Sequence, residues 1–502
     1  MNDGVSAIRL HESTKHGTPP ASPERLVEYQ RLDPRNAPRP FKEYTGLERL
    51  DLPRRVVPSS LPGADVLSGV TGNEAPLDPE MVATLLFLSA GVTRMMSRHG
   101  RRIYFRAAMS AGNLHPVEIY VVVGDAETGI EPGIHHFSPL DFALTRLRRG
   151  DLRGRLGVGA PVAFVLTGIP WRTTWKYGER GWRHLYWDGG TIVANLTAVA
   201  DAHGLDHRTL LGFDDEAASE LLGVDGVEEM PLAVVELGPS GEPPPLPPNT
   251  LEPLHPDVSP VAPRPIRLPL LEEAQAASTL DGAEVAAWRE AGREAAAPAP
   301  ARVGHEVEPE DPIEAVILRR GSTRRMLPRE VPGDHLRWPL AAATRRTGID
   351  AAGGGTLLHH YLTVHAVEGL QPGRYRYAGG ELQMLGTTDS IRRRSAALCL
   401  GQALGGDSAY TVFHSADLAS VIDALGSRGY RMAQLEAGIV SGRLSLCAFT
   451  LGLGATGLTF FDDPVSDFFE TEAAPMLVTS VGTVATPPAP SGSPGRPATL
   501  GA

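Results

Sequence analysis

The stretch Thr173–Gly190, TTWKYGERGWRHLYWDGG, shares its frame with a second stretch, Val421–Gly438, VIDALGSRGYRMAQLEAG. The Lys176–Tyr177 pair of the first copy is Ala424–Leu425 in the second. The positions that the two stretches share are thus kept in both copies, whereas the two groups that can transfer a proton are kept in one. We therefore expect the shared positions to serve the assembly of the domains and the Lys176–Tyr177 pair to serve the chemistry. The shared frame consists of glycines and arginines: Gly178, Arg180, Gly181 and Arg183 recur as Gly426, Arg428, Gly429 and Arg431.

The repeat extends well beyond these two stretches. Residues 176–215 align without a gap against residues 424–463, with 13 of 40 positions identical, where about two or three are expected by chance. GIEPGIHHF (Gly129–Phe137) likewise matches GLQPGRYRY (Gly369–Tyr377). A period of this length is far too long for a solenoid. The sequence therefore predicts two copies of one domain that pack as a pseudo-symmetric dimer within one chain.

The bulk composition limits the classes of function. A chain of 502 residues is too long for one ordinary core. Its net charge of −12 and its lack of a dense Lys/Arg run argue against nucleic acid or an anionic membrane as partner. Two isolated cysteines, Cys399 and Cys447, predict buried free thiols and no metal site. No secretory signal or membrane-spanning run is apparent, so a cytoplasmic location is expected.

Shifts in composition predict five regions. Residues 1–76 are Pro-rich and predict an extended N-terminal arm, and residues 241–312 predict a Pro/Ala-rich linker that contains a helical segment. The two domains are expected at 77–240 and 313–484. Residues 485–502 form a low-complexity tail that is predicted to be disordered. Asp78 is expected to cap the first domain helix, and a long, largely apolar helix is expected from Arg180 to His203.

Each copy keeps a different half of a binding site. In copy one, Ser110–Asn113 is a small polar loop before a strand, which lets the backbone approach a flat ligand closely. In copy two, Arg320, Ser322 and Arg324 alternate and suit a phosphate clamp. A plain strand connection and a solvated basic face are the alternatives. If both readings hold, one composite site lies between the domains and the reciprocal site is degenerate.

These residues also carry a family resemblance. Arg320–Arg324 resembles the flavin-phosphate motif that opens nitroreductase-fold domains, and Arg106–Pro116 resembles their isoalloxazine loop. Further motifs make the chain similar to the SagB/ThcOx-type dehydrogenases, which include azoline oxidases of ribosomal peptide pathways. These motifs are HESTKH (His11–His16), PFKEYTGLERLDLP (Pro40–Pro53), WKYGERGWRH (Trp175–His184) and GFDD (Gly212–Asp215).

The resemblance implies an α+β fold with two nitroreductase-like, FMN-dependent domains in tandem, which form an intramolecular pseudo-dimer. It implies an FMN-dependent dehydrogenase that oxidises an azoline-type or related ring or C–N bond in a peptide natural-product intermediate. Hydride passes to flavin N5 in such enzymes. The implied partners are a peptide or peptide-like substrate and an upstream cyclising enzyme. Whether whole chains associate further is left open.

The resemblance also assigns site residues. Lys176 and Tyr177 map onto the pair implicated in removing the ring proton. A lysine at its ordinary pKa of about 10.4 is protonated at neutral pH, so we expect a partly desolvated pocket beside Arg180 and Arg183 to lower the pKa of Lys176. The residues implied to bind FMN are Arg106, Ser110, Ala111, Gly112, Asn113, His115, Arg320, Ser322 and Arg324.

Two other functions remain compatible with the sequence. An NAD(P)H-dependent reductase of nitro or enone compounds uses the same fold and needs no protein base. A flavin-less scaffold in a biosynthetic complex would need neither Lys176 nor the phosphate clamp. The repeated acidic pairs, Asp214–Asp215 and Asp462–Asp463, predict a shared capping role after the turn that precedes them.

Overall fold

The computed structural model of the protein describes residues 4–16, 32–98, 100–124, 128–245 and 251–501. Its helices are α1 (Val5–Ser13), α2 (Gly63–Leu67), α3 (Pro79–Ala90), α4 (Pro170–Tyr177), α5 (Gly181–Ala202), α6 (Asp215–Leu222), α7 (Pro269–Ala276), α8 (Val285–Ala295), α9 (Ile313–Arg319), α10 (Asp334–Ala343), α11 (Ile391–Leu398), α12 (Leu404–Asp407), α13 (Leu418–Thr450) and α14 (Asp462–Phe469).

Its strands are β1 (Arg49–Asp51), β2 (Val92–Arg98), β3 (Arg101–Arg106), β4 (Val117–Val123), β5 (Gly133–Ser138), β6 (Ala143–Arg149), β7 (Val162–Gly168), β8 (His207–Leu210), β9 (Met230–Leu237), β10 (Ala297–Pro298), β11 (Met326–Leu327), β12 (Gly355–Thr356), β13 (Leu358–Val364), β14 (Gly373–Ala378), β15 (Glu381–Gly386), β16 (Tyr410–Ala416), β17 (Gly454–Leu458), β18 (Ala474–Val484) and β19 (Ala498–Leu500). Among the residues described, no helix is both long and apolar enough to cross a bilayer.

The fold is α+β and contains the same antiparallel sheet twice. Sheet one has the order β1-β6-β5-β4-β7-β9-β8. In sheet two, β15-β14-β13-β16-β18 repeats the order β6-β5-β4-β7-β9, and β17 pairs with β18 as β8 pairs with β9. We call the part built on sheet one lobe one and the part built on sheet two lobe two. The duplication predicted from the repeat is thus present in the strand order itself.

The long helices α5 and α13 form the contact between the lobes. They approach closely because each has a glycine at the crossing: a Cβ on Gly190 would lie 2.4 Å from the carbonyl oxygen of Leu435. A Cβ on Gly438 would lie 2.5 Å from the carbonyl oxygen of Trp187. These glycines are partners in the sequence repeat. One apolar core runs through both lobes as a result, as expected for a permanent rather than a transient interface.

Four buried arginines tie each lobe to the other. Arg180 and Arg183 at the start of α5 each place Nη1 2.8 Å from a carboxylate oxygen of Asp462 in lobe two. Arg428 and Arg431 of α13 make the reciprocal ion pairs with Asp215 of lobe one. All of these side chains are at most 5% exposed. The repeated frame therefore builds two equivalent clamps across the pseudo-twofold axis.

The acidic pairs do not share one capping role, contrary to the prediction. Asp214 does cap α6, where it accepts a hydrogen bond from the amide of Ala217 at 2.9 Å. Its aligned partner Asp462 is instead the acceptor in the cross-lobe clamp, and Asp215 fills that role in the other lobe. The gap-free alignment therefore slips by one residue here, because the turn before α6 is one residue longer than the turn before α14.

The tail is ordered, so the prediction of a disordered C-terminal segment is wrong. Strand β19 pairs in parallel with β2 over Arg94–Met96. The guanidinium of Arg94 donates hydrogen bonds to the carbonyl oxygens of Ala489 and Pro490, both at 3.1 Å. Low complexity did not prevent order because the backbone of the tail, rather than its side chains, makes these contacts.

The arm and the linker are only partly extended. The predicted arm contains helix α1, which packs against α7 and α13, although residues 1–3 and 17–31 lie outside the described part of the chain. The predicted helical segment of the linker is confirmed as α7 and α8, which flank the predicted break at Gly282. Residues 246–250 of the linker lie outside the described residues. The predicted cap of Asp78 on α3 is also confirmed.

Removing one clamp carboxylate is expected to destabilise the protein strongly. Burial raises the pKa of Asp462, but Arg180 and Arg183 outweigh it and hold the pKa at about 2, below the ordinary 3.8. We expect Asp462→Asn to lower the free energy of unfolding by about 3–5 kcal/mol near neutral pH, because it leaves two buried guanidinium groups without their counter-charge. Urea unfolding followed by circular dichroism measures this loss.

The neighbouring residue provides a matched control. The side chain of Asp463 is 42% exposed and pairs with Lys15, so Asp463→Asn should change the stability by less than about 1 kcal/mol. The stabilisation by Asp462 is present above pH ~4 and is lost as the pH falls towards its folded pKa of about 2. The difference in the free energy of unfolding between wild type and Asp462→Asn should therefore become smaller in that pH range. Equal effects of the two variants would contradict the clamp.

Candidate active site between the lobes

Two adjoining cavities lie where the lobes meet. The outer cleft, of about 480 Å³, is lined by the start of lobe two, by the end of β3 and by the tail. The inner cavity, of about 260 Å³, is lined by α4 and α5 of lobe one and by β17 of lobe two. The two cavities share four lining residues, so they form one continuous space. These are Met109, Ser110, Ser322 and Arg324.

The sequence-predicted loop lies at the junction of these cavities and is held by a buried acid. Asp188 of α5 accepts hydrogen bonds from the hydroxyl of Ser110 and from the amide of Ala111. Burial raises the pKa of Asp188 to about 7, although both hydrogen bonds lower it. The reciprocal position in lobe two is Glu436, which accepts from the amide of Leu357 at 3.0 Å. The same device therefore holds the corresponding loop in each lobe.

Asn113 and His115 stabilise the loop from within. The amide nitrogen of Asn113 donates to the carbonyl of Tyr104 at 2.8 Å, and its oxygen lies 3.0 Å from Nε2 of His115. Burial, followed by the charges of Arg106 and other arginines, lowers the pKa of His115 far below its ordinary value. These hydrogen bonds shape the loop, and both residues line the outer cleft.

Two of the predicted cofactor-binding arginines are also occupied. The guanidinium of Arg106 donates to the carbonyls of Pro40 and Val117, while its Nε makes no hydrogen bond with the residues described and the side chain lines the outer cleft. Arg320 donates through Nε and Nη2 to the carbonyl of Ala107 in lobe one. Arg320 therefore joins the predicted clamp to the predicted loop, and its Nη1 makes no hydrogen bond with the residues described.

Arg324 is a cation that is available to a ligand. It is exposed and lines both cavities, and it makes no hydrogen bond or ion pair within the part of the chain that the structure describes. Ser322 lies beside it in both cavities, and Arg325, which the sequence reading missed, lines the outer cleft. Arg324 and Arg325 therefore place exposed positive charge at the lobe-two end of the outer cleft, which Arg94 and Arg106 of lobe one also line.

Lys176 and Tyr177 lie directly against the loop. A Cβ on Gly112 would be 2.6 Å from the hydroxyl of Tyr177 and 3.1 Å from Nζ of Lys176. Gly112 also has φ +63°, a left-handed conformation that favours glycine. The ring of Tyr177 contacts His184 edge-on, with centroids 4.3 Å apart. The pair thus stands at the wall of the inner cavity, across from Arg324.

The pKa of Lys176 is lowered, as expected, but only part of the predicted cause is correct. Burial contributes most, and the charge of Arg324 from lobe two comes second. Arg180 and Arg183 were expected to supply this charge; instead, both guanidinium groups are paired with Asp462. Arg324 therefore couples the predicted phosphate clamp electrostatically to the predicted base.

Several lining residues escaped the sequence reading. Asp188, His184 and Trp187 occupy one side of α5, and Gln402 and Gly457 reach the inner cavity from lobe two. Asp188 had a detectable signal, because its aligned partner in the repeat is also acidic. The two residues from lobe two had none, since only the packing of the lobes brings them to the site.

The reciprocal half-site is filled by the linker. Strand β10 of the linker pairs with β12. Strand β12 directly precedes Leu357, whose amide donates to Glu436. The amide of Val303 donates to the carbonyl of Ser68 at the end of α2, the counterpart of α9. A Cβ on Gly69 would lie 2.5 Å from the carbonyl oxygen of Ala301. Among the residues described, the backbone of the linker therefore lies at the second half-site, whereas the first is open.

Comparison with known proteins agrees with this architecture. The nitroreductase family model matches residues 73–238. A protein of Methanocaldococcus jannaschii described as a nitroreductase is 28% identical over 173 residues, which cover 33% of this chain and 82% of that protein. The trifolitoxin-processing protein TfxB of Rhizobium leguminosarum bv. trifolii is 29% identical over 196 residues, which cover 35% of this chain and 52% of TfxB.

A solved structure matches nearly the whole chain. The crystal structure of a protein from Anabaena variabilis, also described as a nitroreductase, is 26% identical and superposes with a TM-score of 0.74. The match covers 95% of this chain and 99% of that one. The chain therefore contains a nitroreductase-family domain and has the nitroreductase fold. Proteins of this family are generally flavin oxidoreductases.

Filling the space above Gly112 should disturb the Lys176–Tyr177 pair. We expect Gly112→Ala to cost about 1–2 kcal/mol through its left-handed backbone and to push Tyr177 away. Hydrogen exchange of residues 108–114 and 174–178 should therefore increase. Gly157→Ala is the control, because Gly157 has the same φ of +63° with nothing within 4 Å of a Cβ. Unchanged exchange around Lys176 in Gly112→Ala would show that the contact is unimportant.

Proposed function

We propose that this protein is an FMN-dependent dehydrogenase of the SagB/ThcOx type. It oxidises an azoline-type or related ring or C–N bond in a peptide intermediate. The observation that carries the proposal is the position of Lys176 and Tyr177. They occur in one copy of the repeat only, and they stand against the Gly112 loop in a cavity that Arg324 enters from the other lobe.

The residues present fit a flavin mononucleotide. A phosphate is best held by guanidinium and hydroxyl groups without other partners, and Arg324 and Ser322 are such groups within the described residues. A flat ring needs close backbone approach. Gly112 supplies it on one side of the inner cavity, and Gly457 does so on the other, where a Cβ would have no neighbour nearer than 3.8 Å. When bound, FMN supplies the hydride acceptor.

The protein's own groups then handle the proton. Lys176, whose pKa is lowered by burial and by Arg324, takes the proton that leaves the substrate ring. Tyr177 lies beside Nζ of Lys176, with Nζ 5.0 Å from its ring centroid, and orients or relays that proton. General-base assistance of this kind contributes about 10²–10⁴-fold to a rate. Asp188 holds the Gly112 loop through hydrogen bonds. This loop keeps Lys176 and Tyr177 at the wall of the inner cavity.

A peptide substrate is supported by the relationship to TfxB. TfxB is a trifolitoxin-processing protein, and we infer that this chain also acts on a peptide natural-product intermediate. An upstream cyclising enzyme is the partner that would supply an azoline ring. The protein is expected to work in the cytoplasm, where such intermediates are made.

An NAD(P)H-dependent nitro or enone reductase is the second candidate. The relative from M. jannaschii, described as a nitroreductase, favours it. A reductase needs no protein base, so it does not account for the confinement of Lys176–Tyr177 to one copy. The flavin-less scaffold is weaker still, because it leaves an exposed Arg324 and an open inner cavity without a purpose.

The first test is the visible spectrum of the purified protein. A single composite site with a filled reciprocal half predicts about one flavin per chain. A colourless protein that does not take up added FMN would favour the scaffold. Two flavins per chain would contradict the assignment of the linker to the reciprocal half-site.

The second test separates phosphate from ring binding. Arg324→Ala should weaken FMN about tenfold to a hundredfold, the loss of one charge-assisted hydrogen bond, and should leave riboflavin affinity nearly unchanged. Flavin fluorescence titration measures both. Arg329→Ala is the control, because Arg329 is exposed but lines neither cavity. Equal losses for FMN and riboflavin would remove Arg324 from the phosphate clamp.

The third test concerns the base. Lys176→Met should keep the flavin and lower azoline oxidation about 10²–10⁴-fold. Lys176→Arg should be equally slow, because a guanidinium keeps the charge but does not deprotonate near neutral pH. Wild-type oxidation should rise with pH until Lys176 is deprotonated and then level off. The reductase would be established instead by two results together. NADPH would still bleach the flavin of Lys176→Met, and an azoline peptide would fail to bleach the flavin of the wild type.

A further inference from the structure

Sheet two carries a buried polar pair where sheet one is hydrocarbon. His360 on β13 stands opposite His414 on β16. The same register positions in sheet one hold Ile119 on β4 and Leu166 on β7. All four are at most 4% exposed. Burying polar groups is costly unless they are hydrogen-bonded, so the fold itself does not require the histidines.

The pair continues to the inner cavity through two hydroxyl groups. Nε2 of His414 lies 3.2 Å from Oγ1 of Thr479, and that oxygen lies 2.7 Å from Oγ of Ser441. Ser441 lines the inner cavity. In lobe one, its aligned partner is Val193, and the position of Thr479 in the sheet is Val235. An unbroken polar chain in lobe two thus replaces an apolar core in lobe one.

Burial favours the neutral form of both imidazoles, and a hydrogen bond between two neutral rings places one hydrogen between their facing nitrogens. Burial lowers the pKa of His360 to about 3 and that of His414 far below its ordinary value. Their Nδ1 atoms are 3.1 Å apart, so one nitrogen must carry the hydrogen and the other must accept it. The outer nitrogens are then in opposite states, and exchanging the two tautomers moves a proton from one end of the pair to the other.

We propose that Ser441, Thr479, His414 and His360 form a proton relay that leads from the floor of the inner cavity along the face of sheet two that packs against α13. A proton that reaches Oγ of Ser441 displaces the hydroxyl proton of Ser441 onto Thr479. The proton of Thr479 passes to Nε2 of His414, and the one on its Nδ1 passes to Nδ1 of His360. Nε2 of His360, a residue that is 4% exposed, releases a proton to water, no electrons move, and every group ends neutral.

The relay places a second proton-transfer group at the inner cavity, on the side opposite to Lys176 and Tyr177. Lys176 and Tyr177 line the lobe-one side, whereas Ser441 belongs to lobe two. In one tautomeric state of the relay Ser441 donates a hydrogen bond to the cavity, and in the other it accepts one. Such a group suits a ligand that gains and loses a proton during its reaction. This use in turnover rests on the proposed function, whereas the existence of the relay does not.

The first experiment needs no flavin. Nitrogen-15 NMR of the histidine rings in the full chain reports the tautomer of each imidazole. Ser441→Ala should change the tautomer ratio of His360, which is separated from Ser441 by two intervening side chains. Ser445→Ala is the matched control, because Ser445 is an equally buried serine one turn further along α13. An unaltered His360 in Ser441→Ala would overturn the proposal.

The second experiment measures proton movement. With FMN bound, proton uptake on photoreduction is followed by a pH-indicator dye. Thr479→Val should slow it at least about tenfold, whereas Thr479→Ser, which keeps the hydroxyl, should restore it. Thr411→Val, a buried threonine on β16 that the relay does not include, should have no effect. Equal rates in Thr479→Val and wild type would overturn the relay. If the protein fails to bind FMN but Ser441→Ala changes the tautomer ratio of His360, the proposed function is overturned and the relay is not.

Discussion

The reciprocal pairing of buried arginines with a carboxylate of the other lobe is the constraint on which the structure depends. Arg180 and Arg183 require Asp462, and Arg428 and Arg431 require Asp215. Removing the counter-charge of a guanidinium at this depth is costly, so each lobe is stabilised by the carboxylate of the other. The clamps set the crossing of α5 and α13, and that crossing places the Gly112 loop and Arg324 around one space.

Symmetry at the interface coexists with asymmetry at the site. Both lobes hold their loops with a buried acid, Asp188 or Glu436. Around that common device the lobes have diverged: one offers Lys176 and Tyr177, and the other offers Arg324 and the polar chain that begins at Ser441. The linker closes the second half-site with backbone. The two lobes of a duplicated fold thus present different residues to the space between them.

Much of this could be predicted from the pattern of residues. The repeat predicted the duplication, and the alternation of Arg320, Ser322 and Arg324 identified the segment that reaches the cavities. The acidic pairs were placed correctly, but their roles were not, because a one-residue slip in a turn is invisible to a gap-free alignment. Arg320 and Asn113 were likewise found in the correct segments. Their polar groups prove to hold protein backbone, which residue type alone does not reveal.

The sequence by itself determined that there are two copies of one domain, which copy keeps the Lys176–Tyr177 pair and which keeps the basic segment. These properties are local, since they follow from residue identity and spacing. Only the tertiary structure decided which charge lowers the pKa of Lys176, that the low-complexity tail forms a wall of the cleft, and that buried histidines connect with the cavity. Those outcomes depend on contacts between residues hundreds of positions apart, and such contacts exist only after the lobes have packed.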